Sequence, residues 1–189
     1  MYLGVALTTL ATLLLELSLT RIFSVVFYYH FAFLAISIAM FGLGAGGVFS
    51  YLITVPRPAV FHRLGLLACG VSFVAVGSLI ILLTRAEVSN ATLALIYVTS
   101  ALPFVLAGMI VSLAISETIE RIDRVYFFDL IGAAGGCLVL VPFLNVFGGP
   151  NTVIAAAILF AVSAAIWFNL GRSTRGRAAG VALALCFVA

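Results

Sequence analysis

Two carboxylates stand inside long apolar runs. Glu16 lies in "LLLELSLTR" and Asp129 in "VYFFDLIGAAGG". An ionisable group in such a setting is costly to keep, and it marks an ion or proton path by default. Glu16 therefore reads either as a cation or proton site facing a cavity, or as a partner for an arginine, asparagine or hydroxyl on another helix. Asp129, about one turn inside its run, reads as a second such site or as a partner of Arg121, Arg124 or a neighbouring helix end. Arg21 follows Glu16 by five positions, about 140° round a helix, which disfavours a direct pair between them. His30 comes after Tyr28 and Tyr29 at the edge of a run, a place for interfacial hydrogen bonding or for proton transfer. Glu16, Asp129, Arg21 and His30 form the candidate intramembrane polar site.

No nucleophile–base–acid set accompanies them. The chain has two histidines, His30 and His62, both near the ends of apolar runs. The acids of "ETIERID" are interleaved with arginines and read as a solvated turn. Nothing here builds a site for acyl, phosphoryl or hydride transfer, so no catalytic residue and no cofactor is expected. Cys69, Cys137 and Cys186 lie in apolar runs without CxxC spacing or a nearby histidine. They read as small apolar residues, and no metal site is expected.

The stretch "AMFGLGAGGVFS" resembles a phosphate-cradling turn. A dinucleotide fingerprint needs a strand before the glycines, a helix after them and an acid about 20 positions on. Here an apolar run precedes them, and the corresponding later segment, "FHRLGLL", contains no acid. Gly42 and Gly46 are instead spaced to let a second backbone approach one helix face, as are Gly132 and Gly136. These four are the expected helix-packing residues.

The elements that would position these residues follow from composition. The 189 residues are 65% hydrophobic and 8% charged, with a mean hydropathy of +1.35. Soluble domains carry about 25% charged residues. The expected fold is an all-α membrane protein, a polytopic helix bundle. A span needs roughly 20 apolar residues, and six such runs cover about 3–26, 30–54, 63–84, 91–115, 125–147 and 152–170. A seventh begins near Ala178, too short to cross, and is read as truncated, which makes the chain a fragment of a longer protein. The start is read as a retained first helix, since it lacks a basic segment and a cleavage site. Pro103 and Pro142 are expected to interrupt their helices, and "FGGPN" to be a tight turn.

All nine basic residues are arginines. Arg57, Arg63, Arg121, Arg124, Arg172, Arg175 and Arg177 fall after the even-numbered spans, against Arg21 and Arg85 on the other side. The positive-inside rule then puts the N-terminus in the cytoplasm. Arginines gathered in short turns in this way speak for topology and against nucleic-acid binding. "FGLGAGG" and "LIGAAGG" occupy the middle helices of two three-helix groups, 1–84 and 90–170. An odd number of helices per group would make them inverted repeats within a single domain, 1–189.

The segments "LLELSLTRIFSVVFYYHFAFLAISIAMFGLGAGG" and "ERIDRVYFFDLIGAAGGCLVLVPFLNVFGGP" resemble the N-terminal membrane region of bacterial spermidine synthase-like membrane proteins. The resemblance covers most of residues 10–150, and "ELSLTRIFS" and "YFFDLIGAAGG" carry its specific part. That family joins a membrane domain, major-facilitator-like in style, to a downstream soluble aminopropyltransferase-like domain. The resemblance implies a plasma-membrane domain that is not catalytic by itself and that anchors or serves that soluble domain. None of the soluble domain's glycine-rich and acidic motifs is present here. Full major facilitator folds have about twelve helices, so the other reading is half of such a transporter, handling a cation or polyamine through Glu16 and Asp129. The expected surroundings are the lipid bilayer.

Overall fold

A computed structural model describes residues 1–27, 31–52, 59–84, 90–118 and 121–188. They form six helices: α1 (Tyr2–Val26), α2 (Phe31–Leu52), α3 (Val60–Thr84), α4 (Asn90–Glu117), α5 (Ile122–Leu170) and α6 (Thr174–Val188). Helices α1 to α5 are long and apolar enough to cross a membrane. A helix satisfies its own backbone groups, which is what an environment without water demands.

The count differs from the sequence expectation at α5. Segments 125–147 and 152–170 were expected as separate spans, and the structure joins them into one element of 49 residues. Straight, it would be about 74 Å long, more than twice a bilayer core. It is not straight, because Gly148 adopts φ 74° and ψ 174°, non-helical values open essentially to glycine alone. The "FGGPN" turn thus shrinks to one residue. Pro150 sits in the first turn beyond it, where a missing N–H costs little.

Contacts with α1 show what this break does. Before Gly148, Tyr2 stacks on Phe128 with ring centroids 5.2 Å apart, Gly132 lies against Ala6, and Gly136 against Leu10. Residue numbers rise together, so this first arm of α5 runs parallel to α1. Gly149 meets Ile22. Beyond that the order inverts: Ser163 shares a 2.8 Å hydrogen bond with Thr8, and Trp167 lies against Gly4. The second arm runs back down α1. Gly148→Ala is expected to destabilise the fold by about 1–3 kcal/mol, since a Cβ there is strained even in open space. Unfolding in mixed micelles would check this, and an unchanged midpoint would contradict it.

Prolines have less effect than expected. Helix α4 runs through Pro103, and inside α5 the one non-helical residue is Gly148, not Pro142. Both prolines are accommodated without interrupting their helices, as membrane helices often allow.

The remaining pairs follow the same logic of small residues at close crossings. Helix α2 runs parallel to α4: Gly42 faces Ala101 and Phe104, Gly46 faces Val105 and Met109, and Ser50 Oγ donates to Ser112 Oγ at 2.7 Å. Helix α3 runs antiparallel to the second arm of α5, with Gly65 against Phe168 and Ser72 Oγ donating to the Ala157 carbonyl at 2.6 Å. Helix α6 turns back on that arm through Gly176 and Gly180. Ser72→Ala is expected to cost about 0.6 kcal/mol, the usual scale of one interhelical hydrogen bond in a membrane bundle. The same unfolding assay would read it.

These contacts also sort the ends of the bundle. The starts of α1, α3, α5 and α6 lie together with the ends of α4 and α5, as the Thr118–Met1, Tyr2–Phe128, Gly4–Trp167 and Gly171–His62 contacts require. Arg63, Arg121, Arg124, Arg172, Arg175 and Arg177 therefore share one end, and Arg21 lies toward the other.

Candidate functional site

A cavity of about 830 Å³ opens between α1, α2, α4 and the first arm of α5. Both intramembrane carboxylates line it. Thr9, Thr12 and Glu16 come from successive turns of one α1 face, because spacings of three and four bring side chains into line. Asp129 enters from α5, and Ser112 and Ser116 from α4. Met40, Leu43 and Leu130 make up much of the apolar wall.

The glycine crossings hold this arrangement open and in register. A Cβ at Gly132 would collide with the Ala6 carbonyl, and one at Gly136 would come to 2.9 Å from the Leu10 carbonyl oxygen. At Gly42 it would come to 2.7 Å from Phe104 Cβ, and at Gly46 it would collide with the Val105 carbonyl. Close approach of α5 to α1 places Asp129 beside Thr9, whose Oγ1 donates to Asp129 Oδ1. That partner is a hydroxyl from α1, in place of the expected Arg121 or Arg124. Glu16 lies two turns further along α1, about 10 Å away. It is half-buried, and among the described residues no side chain bonds its carboxylate; its backbone carbonyl accepts from Thr20 at 2.8 Å.

The other two members of the polar set do not join this site. Arg21 is exposed and lines no part of the cavity. His30 lies outside the described residues. Among the described residues none that lines the cavity is basic. Two carboxylates, each with acceptor oxygens only when ionised, share this space with neutral hydroxyls that can donate or accept. The arrangement can hold a cation or exchange protons, and it offers no nucleophile poised against a base. Sequence reasoning named Glu16 and Asp129 but missed Thr9, Thr12, Ser112 and Ser116. Their signal was available in principle, since Thr9, Thr12 and Glu16 repeat at helical spacing.

Among the described residues no group of three or more histidine, cysteine, aspartate or glutamate side chains could hold a metal ion. Cys69, Cys137 and Cys186 are free thiols.

The fold and its apolar helices define a multi-pass helical membrane protein. No family model matches the chain, and no curated protein or solved structure matches it either.

Proposed function

We propose that this chain is a cation-handling membrane module whose binding site is the Glu16–Asp129 cavity. One observation carries the reading: two acids from distant parts of the chain line a single cavity with hydroxyls around them and, among the described residues, no basic residue in its wall. Intramembrane carboxylates with no basic partner among the described residues require a counter-cation or protons. The cavity extends from exposed Ser116, near the arginine-rich end, inward to Glu16. Two carboxylates at separate places along one cavity suit an elongated cation with separated ammonium groups. The resemblance favours the same class, because its specific pieces, "ELSLTRIFS" and "YFFDLIGAAGG", are the segments that carry these two acids. A polyamine is therefore the proposed ligand, and a downstream aminopropyltransferase-like domain in a bacterial plasma membrane is the proposed setting.

The two arms of α5 would each make a crossing, giving six. Arginines gathered at one end support a cytoplasmic N-terminus under the positive-inside rule. Two inverted three-helix repeats are supported by the pairing pattern. Gly132 and Gly136 meet Ala6 and Leu10 of α1 as Gly42 and Gly46 meet Ala101 and Val105 of α4. Each middle helix thus packs, in parallel, on the first helix of the other group.

Equilibrium dialysis of the chain in nanodiscs against labelled spermidine tests the function. Saturable binding that competes with putrescine and is lost in the Glu16→Gln, Asp129→Asn double variant is expected. Binding no better than to empty nanodiscs would refute it.

A further inference from the structure

A second cavity, about 580 Å³, lies between α3 and α6 on the opposite flank, over the second arm of α5. Its walls are mostly apolar, with Leu66, Phe73 and Leu183 among them, and its mouth carries His62 and Arg175. Both belong to the first turn of their helices, so both stand at the arginine-rich end. The two helices run parallel from there to a Phe73–Phe187 ring pair with centroids 6.1 Å apart. From His62 to Phe73 a helix rises about 16 Å, the depth of one leaflet's hydrocarbon, which is half of a core about 30 Å thick. Leu66 and Phe73 are exposed, so the groove is open along its side.

We propose that this groove holds one anionic phospholipid, its phosphate at Arg175 and His62 and an acyl chain lying between α3 and α6. Charge selects the occupant. Among the described residues no carboxylate lines the groove to neutralise Arg175. Arg172 and Arg177 flank a neighbouring recess of about 220 Å³ and extend the positive surface. Arg177 is held there by a 3.3 Å bond to Asn169 Oδ1. Basic pockets between helices at a membrane face are how anionic headgroups are recognised. An apolar protein helix would fill the groove but leave the Arg175 guanidinium without a counter-charge. The cation cavity lies on the other arm of α5, among α1, α2 and α4, and plays no part in this assignment.

Trp167, the chain's single tryptophan, reports on the site. It is buried against Phe61, with ring centroids 6.4 Å apart, between neighbours of His62 and the groove-lining Phe168. The chain would be reconstituted in phosphatidylcholine bilayers containing phosphatidylglycerol or phosphatidylcholine spin-labelled near the glycerol. Labelled phosphatidylglycerol is expected to quench Trp167 at about fivefold lower mole fraction than labelled phosphatidylcholine. Arg175→Gln should abolish that preference. Arg121→Gln, exposed at the same end but away from the groove, should keep it. Equal quenching by both lipids means ordinary boundary lipid, and quenching by neither means that protein covers the groove. Either result in the unmutated chain overturns the proposal, as does a preference that survives in Arg175→Gln.

Discussion

Glu16→Gln is expected to weaken polyamine binding by about ten- to hundredfold while leaving the fold intact. A hydrogen bond to a charged group contributes about 1.5–3 kcal/mol, and each 1.4 kcal/mol is a factor of ten in affinity. Glutamine has nearly the same shape and keeps an acceptor, so the cavity wall is preserved while the charge is lost. Asp129→Asn is expected to act in the same direction but less strongly, because Thr9 already satisfies part of that carboxylate. The difference between the two variants is itself diagnostic. A purely structural acid would lower thermal stability on neutralisation and leave binding alone. Dialysis and thermal unfolding on the same preparations separate the cases. Unchanged binding in Glu16→Gln would sink the assignment of Glu16 whatever happens to stability.

The second large effect concerns packing. Gly46→Leu is expected to destabilise the chain by about 3 kcal/mol or prevent its assembly, the upper end of what overpacking costs. A Cβ at position 46 meets the backbone of Val105 and comes to 2.9 Å from the Met109 nitrogen. Backbone cannot swing aside as a long side chain can, so α2 and α4 would have to separate. Gly44→Leu, two residues earlier on the same helix, provides the control. Nothing lies within 4 Å of a Cβ there, and a change within about 0.5 kcal/mol is expected. Unfolding of both variants in mixed micelles measures the contrast. Equal effects would show that leucine is harmful anywhere on α2 and would remove the crossing from the explanation.

Much of this molecule follows from local sequence. Runs of about 20 apolar residues with arginines between them are sufficient for a multi-pass helical protein, because only lipid can solvate so much apolar surface. The glycine pairs could be read for the same reason. A spacing of four depends on helix geometry alone, and the stretch from Ala39 to Ser50 sits inside one helix, α2. The turn near Gly148 could be located, but the single-residue break and the unbroken helical bonding on either side of it could not. Proline positions misled because a helix packed by neighbours absorbs what an isolated helix would not.

What the sequence determined by itself was therefore the solvent, the helices, their polar anomalies and the small-residue faces. Tertiary structure alone decided which faces meet. It brought Glu16 and Asp129 to one cavity, gave Asp129 a threonine partner in place of an arginine, left Arg21 outside, and put His62 and Arg175 on one groove. The physical reason lies in the solvent. In water, an apolar stripe on a helix points to the core, and the pattern reveals the buried side. In lipid both sides are apolar, so the choice of partner rests on shape, close backbone approach and a few polar contacts between residues far apart in the chain.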